Sequence, residues 1–512
     1  MSADPGEALV RVVGLAKTYR GNPIFRDLSF SIRVGESVVV LGPSGSGKSV
    51  LLRHLLGFEL PDAGTVEVAG IRTDSVHGAG RRLEFFRNLG VVFQTSSLFD
   101  DLTLAANVGL GLDRATVPAG ERDARIRDFL ARVRLDHAAD RRPREVSGGM
   151  GRRAALARAV ASSPRLLLLD EPTSGLDPES ESVIVRYLNE LRREGKLTMF
   201  TITHSYEAAC ELADTVYVVS DRRNTLVRLA DRAALAAPEK LRAWCVSVQA
   251  ADAALPAAPA ATSPAAGWDP LASVWAFLDT VYALLYLLTR GLRVPEPAAL
   301  LHRLWDAGAR SAPLVATSFA VIGMALAVQA GRIPLMQDLL PRAVAEPVFR
   351  SIGPLVTALL LAGRVGSSIS AEVGAMRADG QLTALWTLGR DPDAHVLPAH
   401  LWACVLVTPV LTILAMVSAV YGGAALVALG MVKSGVTVTG YFEQVGESLR
   451  SMTWVAPVGK PAAFGAIIGL TAYHFGASEK SGTRAIGEGV TRTVVFASLL
   501  VILTDFLLSV AL

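Results

Sequence analysis

The 512-residue sequence has little cysteine: Cys210, Cys245 and Cys404 are its only three. Their wide spacing excludes a disulfide framework and a cysteine-based zinc site, and it is compatible with a reducing cytosolic compartment. The first seven residues, Met-Ser-Ala-Asp-Pro-Gly-Glu, have neither the basic start nor the apolar core of a signal peptide. We therefore expect the first half of the chain to stay in the cytoplasm.

The sequence also lacks a strong excess of one charge, because 50 Lys and Arg nearly balance 47 Asp and Glu, which gives a net charge of +3. This balance argues against a nucleic-acid-binding protein, which needs many phosphate contacts. The charges are unevenly placed: residues 1–267 carry 66 of them, whereas residues 268–512 carry 31. The sequence thus predicts a soluble first half joined to a second half that is poor in charge.

The first half alternates short apolar runs with amphipathic stretches, which predicts an α/β domain over residues 1–245. The runs are typical of buried parallel strands: Val38–Leu41, Val91–Phe93, Leu166–Leu169, Met199–Thr203 and Thr215–Val219. Residues 246–267 hold 10 Ala and 3 Pro, and this composition predicts a linker.

The second half, residues 268–512, contains apolar stretches close to the ~20 residues that cross a bilayer as a helix. They are Ser311–Gly331, Ile352–Ala371, Ala394–Val432, Pro461–Ser478 and Thr493–Leu512. The third is either one long span or two spans broken at Gly422–Gly423. Trp268–Thr289, with acids at its start and many aromatics, predicts an interfacial helix. We expect an all-α membrane domain with one interfacial helix and about five spans.

A phosphate-binding loop lies between the predicted strand Val38–Leu41 and an apolar helix that begins at Val50. It reads Gly42-Pro43-Ser44-Gly45-Ser46-Gly47-Lys48-Ser49, the G-x-x-x-x-G-K-S pattern in its required context. The glycines let successive N–H groups point at phosphate oxygens, and the helix start adds partial positive charge. Lys48 suits the β- and γ-phosphates, and the Ser49 hydroxyl suits Mg²⁺.

Four polar residues follow other strands of the same predicted sheet. Asp170 suits Mg²⁺, and Glu171 suits the base that polarises the attacking water. His204 could reach the γ-phosphate, and Gln94 could sense both Mg²⁺ and water. Each of them, taken alone, could equally be an ordinary residue at the end of a strand.

Ser147-Gly148-Gly149-Met150 precedes a helix over 151–161 and predicts a second anion site. With it, the set resembles the ATP-binding cassette (ABC) ATPases, whose signature is Leu-Ser-Gly-Gly-Gln. The resemblance implies ATP and Mg²⁺ as cofactors and a head-to-tail dimer. Each ATP then lies between one phosphate loop and the partner's Ser147, Gly148 and Gly149. It also implies that Tyr19 stacks on adenine and that Ser174-Gly175-Leu176-Asp177 is the D-loop.

The finer resemblance is to lipid-asymmetry (Mla-type) systems. Met150 and the run Phe93–Phe99 are similar to their ATPases, and Gly353–Gly366 followed by Ala371–Arg377 resembles the MlaE-type permease. The resemblance implies a cytoplasmic coupling helix near Glu372–Leu388. Ala378-Asp-Gly-Gln381 departs from the family there, and we expect Gly380 to weaken that helix.

Two ionisable residues lie near or within the spans. Arg350 is followed by Ser351, whereas the family has Arg-Glu at these two positions. Arg350 could contact a lipid phosphate at the outer mouth or simply snorkel to the interface. Asp505 is interpreted as the donor or acceptor of a hydrogen bond between helices.

The sequence therefore predicts a fused half-transporter that works as a homodimer in the bacterial inner membrane, with its ATPase in the cytoplasm. Its expected substrate is lipid, with phospholipid foremost. The resemblance also implies a mammalian-cell-entry (MCE) domain partner and often a STAS-domain protein. Alternatives are an ABC exporter of another hydrophobic substrate such as a sterol, fatty acid or drug, a peptide exporter, a soluble ABC ATPase, or a membrane regulator that transports nothing. The apolar stretches count against the soluble protein, and the complete set of ATPase residues counts against the regulator.

Overall fold

A computed structural model gives the fold of the chain. It describes residues 7–19, 22–43, 45–76, 79–112, 117–194, 197–220, 225–229, 235–253, 270–333, 336–432, 435–450, 458–478 and 483–511. The chain forms two compact units. The first comprises Met1–Trp268 and Asp379–Asp391, and the second comprises Asp269–Ala378 and Pro392–Leu512.

The first unit contains two sheets. Their strands are β1 (Ala8–Tyr19), β2 (Asn22–Arg33), β3 (Ser37–Leu41), β4 (Ala63–Val68), β5 (Ile71–Arg72), β6 (Leu89–Val92), β7 (Leu166–Asp170), β8 (Thr198–Thr203), β9 (Thr215–Ser220) and β10 (Thr225–Arg228). An antiparallel sheet has the order β2-β1-β4-β5, and the larger sheet has the order β10-β9-β3-β8-β7-β6. In the larger sheet, β9, β3, β8, β7 and β6 are parallel and β10 is an antiparallel edge. The α/β prediction is confirmed.

Helices of both units complete the architecture. They are α1 (Lys48–Leu55), α2 (Ala79–Phe86), α3 (Leu104–Leu112), α4 (Ala119–Arg132), α5 (Gly148–Ala161), α6 (Pro178–Arg193), α7 (Tyr206–Leu212), α8 (Pro238–Ala253), α9 (Pro270–Gly291), α10 (Pro297–Leu304), α11 (Ala312–Arg332), α12 (Leu340–Pro347), α13 (Gly353–Leu361), α14 (Ser367–Ala378), α15 (Gln381–Thr387), α16 (Pro392–His395), α17 (Leu397–Ala428), α18 (Val438–Arg450), α19 (Lys460–Gly476) and α20 (Thr483–Ala511).

The parallel sheet is apolar on both faces, because successive residues of a strand point to opposite sides. In β3, Val38 and Val40 join one core with α1, whereas Val39 and Leu41 join another with α5. All four are at most 2% exposed. The central strands are therefore held from both faces, which fixes the end of the sheet where the polar residues lie.

The predicted linker begins later than expected. Residues 246–253 continue α8, since three prolines fall only from Pro256 onward and alanine favours a helix. The linker interpretation is wrong for 246–253, and residues 254–267 lie outside the described part of the chain.

The predicted coupling helix also differs from expectation. Residues 372–378 are the end of α14 in the second unit, whereas Asp379–Asp391, which contains α15, belongs to the first. Trp386 of α15 packs against the core of the first unit, with the Arg82 guanidinium 4.2 Å from its ring centroid. The predicted stretch Glu372–Leu388 is thus divided between α14 and α15, and its role as a coupling helix stays a prediction.

Within the described residues, four helical stretches are long and apolar enough to cross a membrane: Pro297–Arg332, Leu340–Ala378, Pro392–Ala428 and Ala485–Val510. The first two contain π-helical turns at Trp305–Ala309, Val348–Ile352 and Ala362–Gly366. The fifth predicted span corresponds to α19, which has 17 residues and is at the short limit for a crossing.

Most of the long apolar run 394–432 lies in one helix, because α17 (Leu397–Ala428) continues through Gly422–Gly423. These glycines serve close packing rather than a break. A Cβ on Gly422 would overlap the Ala320 carbonyl of α11, and a Cβ on Gly323 would overlap the Ala419 carbonyl of α17. Small residues that bring two backbones together are typical of packed membrane helices.

Candidate nucleotide-binding and hydrolysis site

Polar side chains gather where the parallel strands end. The phosphate-binding loop follows β3, Asp170 ends β7 with Glu171 next to it, His204 follows β8, and Gln94 comes shortly after β6. Because carboxyl ends of parallel strands share one edge, the sheet order brings these residues to the same side of the unit. The sequence predicted this grouping.

The phosphate-binding loop has the backbone that its sequence predicts. Gly45 and Gly47 have φ values of 87° and 91°, a region that other residues avoid. A Cβ on Gly47 would lie 2.7 Å from Ile24 of β2, so a larger residue would be excluded by space as well. Ser49 and Val50 lie in the first turn of α1, and Ser44 lies outside the described residues.

The loop carries groups that fit a phosphate. The Lys48 ammonium donates to the Gly42 and Pro43 carbonyls at 2.7 and 2.6 Å, which folds it back over the loop. The Ser46 hydroxyl is buried and has no hydrogen-bond partner among the described residues. A buried, unpartnered donor beside an ammonium and a helix start is the arrangement expected where phosphate oxygens bind.

Asp170 is nearly buried, with 9% of its surface exposed. Burial raises its pKa to about 6, with a further rise from the neighbouring Glu171 and opposing effects of Lys48 and Arg53. A buried carboxylate is stabilised by a bound cation. The position therefore fits Mg²⁺, with the Ser49 hydroxyl as the second predicted ligand.

Glu171 and His204 are joined directly. The His204 Nδ1 donates to the Glu171 Oε2 at 2.7 Å. Glu171 has a φ of 50°, an uncommon backbone for a residue with a side chain, and its N–H donates to the Ile202 carbonyl at 2.8 Å. The strained backbone therefore directs the carboxylate toward the histidine, whose side chain is 61% exposed.

Arg152 of α5 connects three parts of the site and was not singled out from the sequence. Its guanidinium donates to the backbone carbonyls of Gln94 at 2.7 Å, of Glu171 at 3.4 Å and of Ser174. Burial lowers its pKa. Its place one turn after the signature was the available sequence signal, but an arginine on an α-helix is usually solvated.

The signature residues lie at the start of α5. Ser147 caps the helix, because its Oγ accepts from the Met150 N–H at 3.3 Å. A Cβ on Gly149 would lie 2.8 Å from the Ser180 Oγ of α6, so glycine is needed for this contact. Gly148 faces open space. The arrangement leaves a helix N-terminus available for an anion.

Tyr19 ends β1 and pairs with Asn22 of β2. Since Ile24, two residues further along β2, lies against Gly47, the start of β2 lies beside the phosphate-binding loop. The Tyr19 hydroxyl donates to Glu59, and the Lys17 ammonium lies 5.5 Å from its ring centroid. Stacking of Tyr19 on adenine stays a prediction.

The segment after Gln94 contacts the loop that precedes α15. The Thr95 hydroxyl donates to the Asp379 carbonyl at 2.9 Å. In the same segment, the Arg158 guanidinium donates to the Ser97 carbonyl at 2.8 Å. Gly380 has a φ of 74°, and a Cβ there would lie 2.6 Å from the Ser97 Oγ. The expectation that Gly380 weakens a helix is wrong, because this glycine forms the break between α14 and α15.

The ionisable residues of the second unit differ in their surroundings. Asp505 Oδ1 lies 3.4 Å from the Lys460 ammonium, which also donates to Ser509 at 2.7 Å. This agrees with the interpretation of Asp505 as a link between helices. Arg350 is exposed in the π-helical turn Val348–Ile352, and its contact with a lipid phosphate stays a prediction.

Comparisons with known proteins agree with this site. The family model "ABC transporter" matches residues 25–174. A spermidine/putrescine import ATP-binding protein, PotA, from Nitratidesulfovibrio vulgaris is 37% identical over 213 residues, which cover 42% of this chain and 56% of PotA. A ferric-ion import ATP-binding protein, FbpC 2, from Rhodococcus jostii is 41% identical over 216 residues, covering 42% of this chain and 60% of FbpC 2. The chain thus spans little more than half the length of these relatives.

Among solved structures, the dimeric post-hydrolysis state of an ATP-binding cassette with ADP and Pi is 28% identical. It covers 44% of this chain and 98% of its own, with a TM-score of 0.41. The matches to the ABC transporter family model and to the ATP-binding proteins PotA and FbpC 2, rather than this likeness, identify the first unit as an ATP-binding cassette ATPase.

The family model "Permease MlaE" matches residues 300–511. The chain is therefore an ATPase–permease fusion of the Mla type, and its apolar helices indicate a multi-pass membrane protein.

Proposed function

We propose that the chain is an ATP-driven lipid transporter, with phospholipid as the foremost substrate. Its ATPase works on the cytoplasmic face of the bacterial inner membrane. The observation that carries this proposal is the fusion of a complete hydrolysis site with an MlaE permease domain over 300–511. Binding and hydrolysis of ATP in the first unit then supply the free energy for lipid movement through the second.

The residues of the first unit divide the chemistry among them. Lys48 and the loop N–H groups hold the β- and γ-phosphates, while Ser49, Asp170 and Gln94 provide oxygen ligands for Mg²⁺, which neutralises phosphate charge. Glu171 accepts the proton of the attacking water. His204, bonded to Glu171 at 2.7 Å, orients that carboxylate and contacts the γ-phosphate.

The proposal includes a homodimer. Ser147, Gly148 and Gly149 form an anion site at the start of α5 that is separate in sequence from the phosphate-binding loop. In a head-to-tail dimer each of these sites completes the other protomer's nucleotide site, as the family resemblance implies. The MCE-domain and STAS-domain partners belong to the same proposal.

The permease domain decides the substrate. PotA and FbpC 2 are named for polyamine and ferric-ion import, but they match this chain only in the cassette. The spans of this chain expose large apolar side chains such as Val410, Leu499 and Leu507, which suit contact with acyl chains. Another hydrophobic substrate, such as a sterol, fatty acid or drug, is the alternative proposal.

Transfer of fluorescent phospholipid by the full chain in proteoliposomes tests the proposal. We expect ATP-dependent transfer by the wild type. Glu171→Gln should bind ATP but hydrolyse it at least ~100-fold more slowly, the loss expected for a general base, and transfer should fall with it. Equal transfer by the variant, or ATP-dependent transfer of sterol without any of phospholipid, would contradict the proposal.

A further inference from the structure

A polar cavity lies inside the second unit, among helices that are otherwise apolar. Its volume is about 210 Å³, and the ionisable residues that line it are Arg303, Asp306, Arg310, Arg364, Glu372 and His400. Charged side chains are rare among membrane helices and mark functional sites there. None of these residues was singled out from the sequence as part of a binding site.

The charges in the cavity do not cancel. Arg303 pairs with Glu372, and the Arg310 Nη1 lies 3.0 Å from the Asp306 Oδ1. Arg364 has no carboxylate partner among the described residues, because its guanidinium donates only to the Ser311 hydroxyl. Ser311 in turn donates to the Ala307 carbonyl at 2.6 Å. One positive charge is therefore held in place by a neutral group and remains available to an anion.

The backbone is specialised at the same place. Asp306 and Ala307 lie in the π-helical turn Trp305–Ala309, and Arg364 and Val365 lie in the π-helical turn Ala362–Gly366. Both turns line the cavity. Such turns interrupt helices mostly at functional sites, because they free carbonyl groups and redirect side chains.

His400 adds a buried ring nitrogen to the lining of the cavity. It is 1% exposed, its Nδ1 donates to the Val396 carbonyl at 2.9 Å, and its Nε2 makes no hydrogen bond within the described residues. The nearest charge is the Glu372 carboxylate, 3.7 Å from Nε2. With Nδ1 occupied by the Val396 carbonyl, Nε2 is the ring nitrogen left to hydrogen-bond with a hydroxyl of a bound molecule.

We infer that this cavity binds the phosphate-bearing headgroup of a membrane lipid, the substrate class of the proposed function on which this inference rests. The Arg364 guanidinium is the donor to the phosphate, since its planar fork matches phosphate oxygens. The His400 Nε2 hydrogen-bonds to a free hydroxyl of the headgroup alcohol that is esterified to the phosphate.

The site is distinct from the predicted Arg350 contact. Arg350 and Arg364 are 14 residues apart on one helical stretch, which is about 21 Å along an α-helix. Arg364 lies toward the end at Ala378. A lipid would thus meet one arginine near each end of the same stretch.

Lipid retention by the full chain in detergent tests the site. The probes are phosphatidylglycerol, diacylglycerol with the same acyl chains, and glycerol 3-phosphate, each quantified by mass spectrometry after gel filtration. We expect the wild type to retain phosphatidylglycerol about tenfold better than diacylglycerol, as one charge-assisted hydrogen bond allows. Arg364→Gln should remove this preference, and Arg364→Lys should keep part of it.

Arg342→Gln is the matched control, because Arg342 lies on the same stretch but pairs with Glu447 at 2.7 Å outside the cavity. It should retain phosphatidylglycerol like the wild type. His400→Phe should lower retention of phosphatidylglycerol more than that of phosphatidic acid, which lacks a headgroup alcohol with free hydroxyls.

Three outcomes would overturn the inference. They are unchanged retention by Arg364→Gln, equal losses of diacylglycerol and phosphatidylglycerol, and stoichiometric binding of glycerol 3-phosphate that phosphatidylglycerol does not displace. Any of these together with ATP-dependent lipid transfer by the wild type would leave the proposed function intact. Absence of that transfer would reject the proposed function itself.

Discussion

Replacing Arg152 tests whether one side chain holds the hydrolysis site in its working shape. The guanidinium donates to the carbonyls of Gln94 at 2.7 Å, of Ser174, and of Glu171 at 3.4 Å. The last bond is weak by its length. Hydrogen bonds from a charged donor contribute about 1.5–3 kcal/mol each, so Arg152→Ala removes about 3–6 kcal/mol of local stabilisation from the loops that carry Gln94 and Glu171.

Water that reaches the freed carbonyls replaces part of this stabilisation. The rest is lost, so we expect the loops that carry Gln94 and Glu171 to shift. A shift of about 1 Å in a reacting group costs on the order of 10²-fold in rate. We therefore expect kcat for ATP hydrolysis to fall about 30- to 100-fold, while KM for ATP changes less than threefold, because Lys48 and its loop are untouched. Arg152→Lys should recover part of kcat, since an ammonium reaches fewer carbonyls than a guanidinium does.

The assay is steady-state ATP hydrolysis by the full chain, with ATP affinity measured separately by a fluorescent nucleotide. Arg153→Ala is the matched control, because the adjacent Arg153 donates to the carbonyls of Val133 and Arg134 and not to the site. A normal kcat for Arg152→Ala, or equal losses for both arginines, would refute the reasoning. A rise in KM with unchanged kcat would assign Arg152 to nucleotide binding instead.

Three further predictions follow from the dimer, the topology and the α14–α15 break. Mixing Lys48→Ala with Gly149→Asp chains should restore part of the ATPase activity, because a heterodimer has one intact composite site; proven heterodimers without activity would reject the dimer. The topology is tested in a chain without its three native cysteines, by labelling from outside the cell. A cysteine that replaces the exposed Glu346 should be labelled, and one that replaces Gly487 should not. The reverse result would reject the predicted topology of the membrane domain. Gly380→Ala should destabilise the chain by about 1 kcal/mol, because φ is 74° and the new Cβ approaches Ser97. The amount of lipid moved per ATP hydrolysed should also fall. An unchanged amount of lipid per ATP would contradict a role for the contact between Gly380 and Ser97.

The site of the first unit was largely predictable, because its chemistry is encoded in contiguous motifs. The phosphate-binding loop specifies its own turn through Gly45 and Gly47, and the parallel strands bring Asp170, Glu171 and His204 to one edge. Arg152 was not predictable, since its role depends on three carbonyls from separate segments. The register of those segments is set by packing.

The membrane unit was predictable in its helices but not in their breaks. Hydropathy located the apolar stretches, but it left open whether residues 394–432 form one long span or two spans broken at Gly422–Gly423, where the structure has one helix and close packing. It also gave no sign of the π-helical turns at Trp305–Ala309 and Ala362–Gly366. A π-helical turn contains one residue more than an α-helical turn, and this barely changes the mean hydropathy of a stretch. Hydropathy therefore could not predict the cavity that these turns line.

The assignment of Asp379–Asp391 to the first unit has a consequence for how this fused polypeptide can be divided. The backbone passes from one unit to the other three times, after Trp268, after Ala378 and after Asp391. A protease cut within residues 254–267 would leave two fragments, and the carboxyl-terminal fragment would still carry α15. An ATPase expressed as residues 1–268 alone would lack Trp386 and expose the apolar surface it covers. The fold of the first unit is therefore completed by a segment that the sequence places between two parts of the second unit.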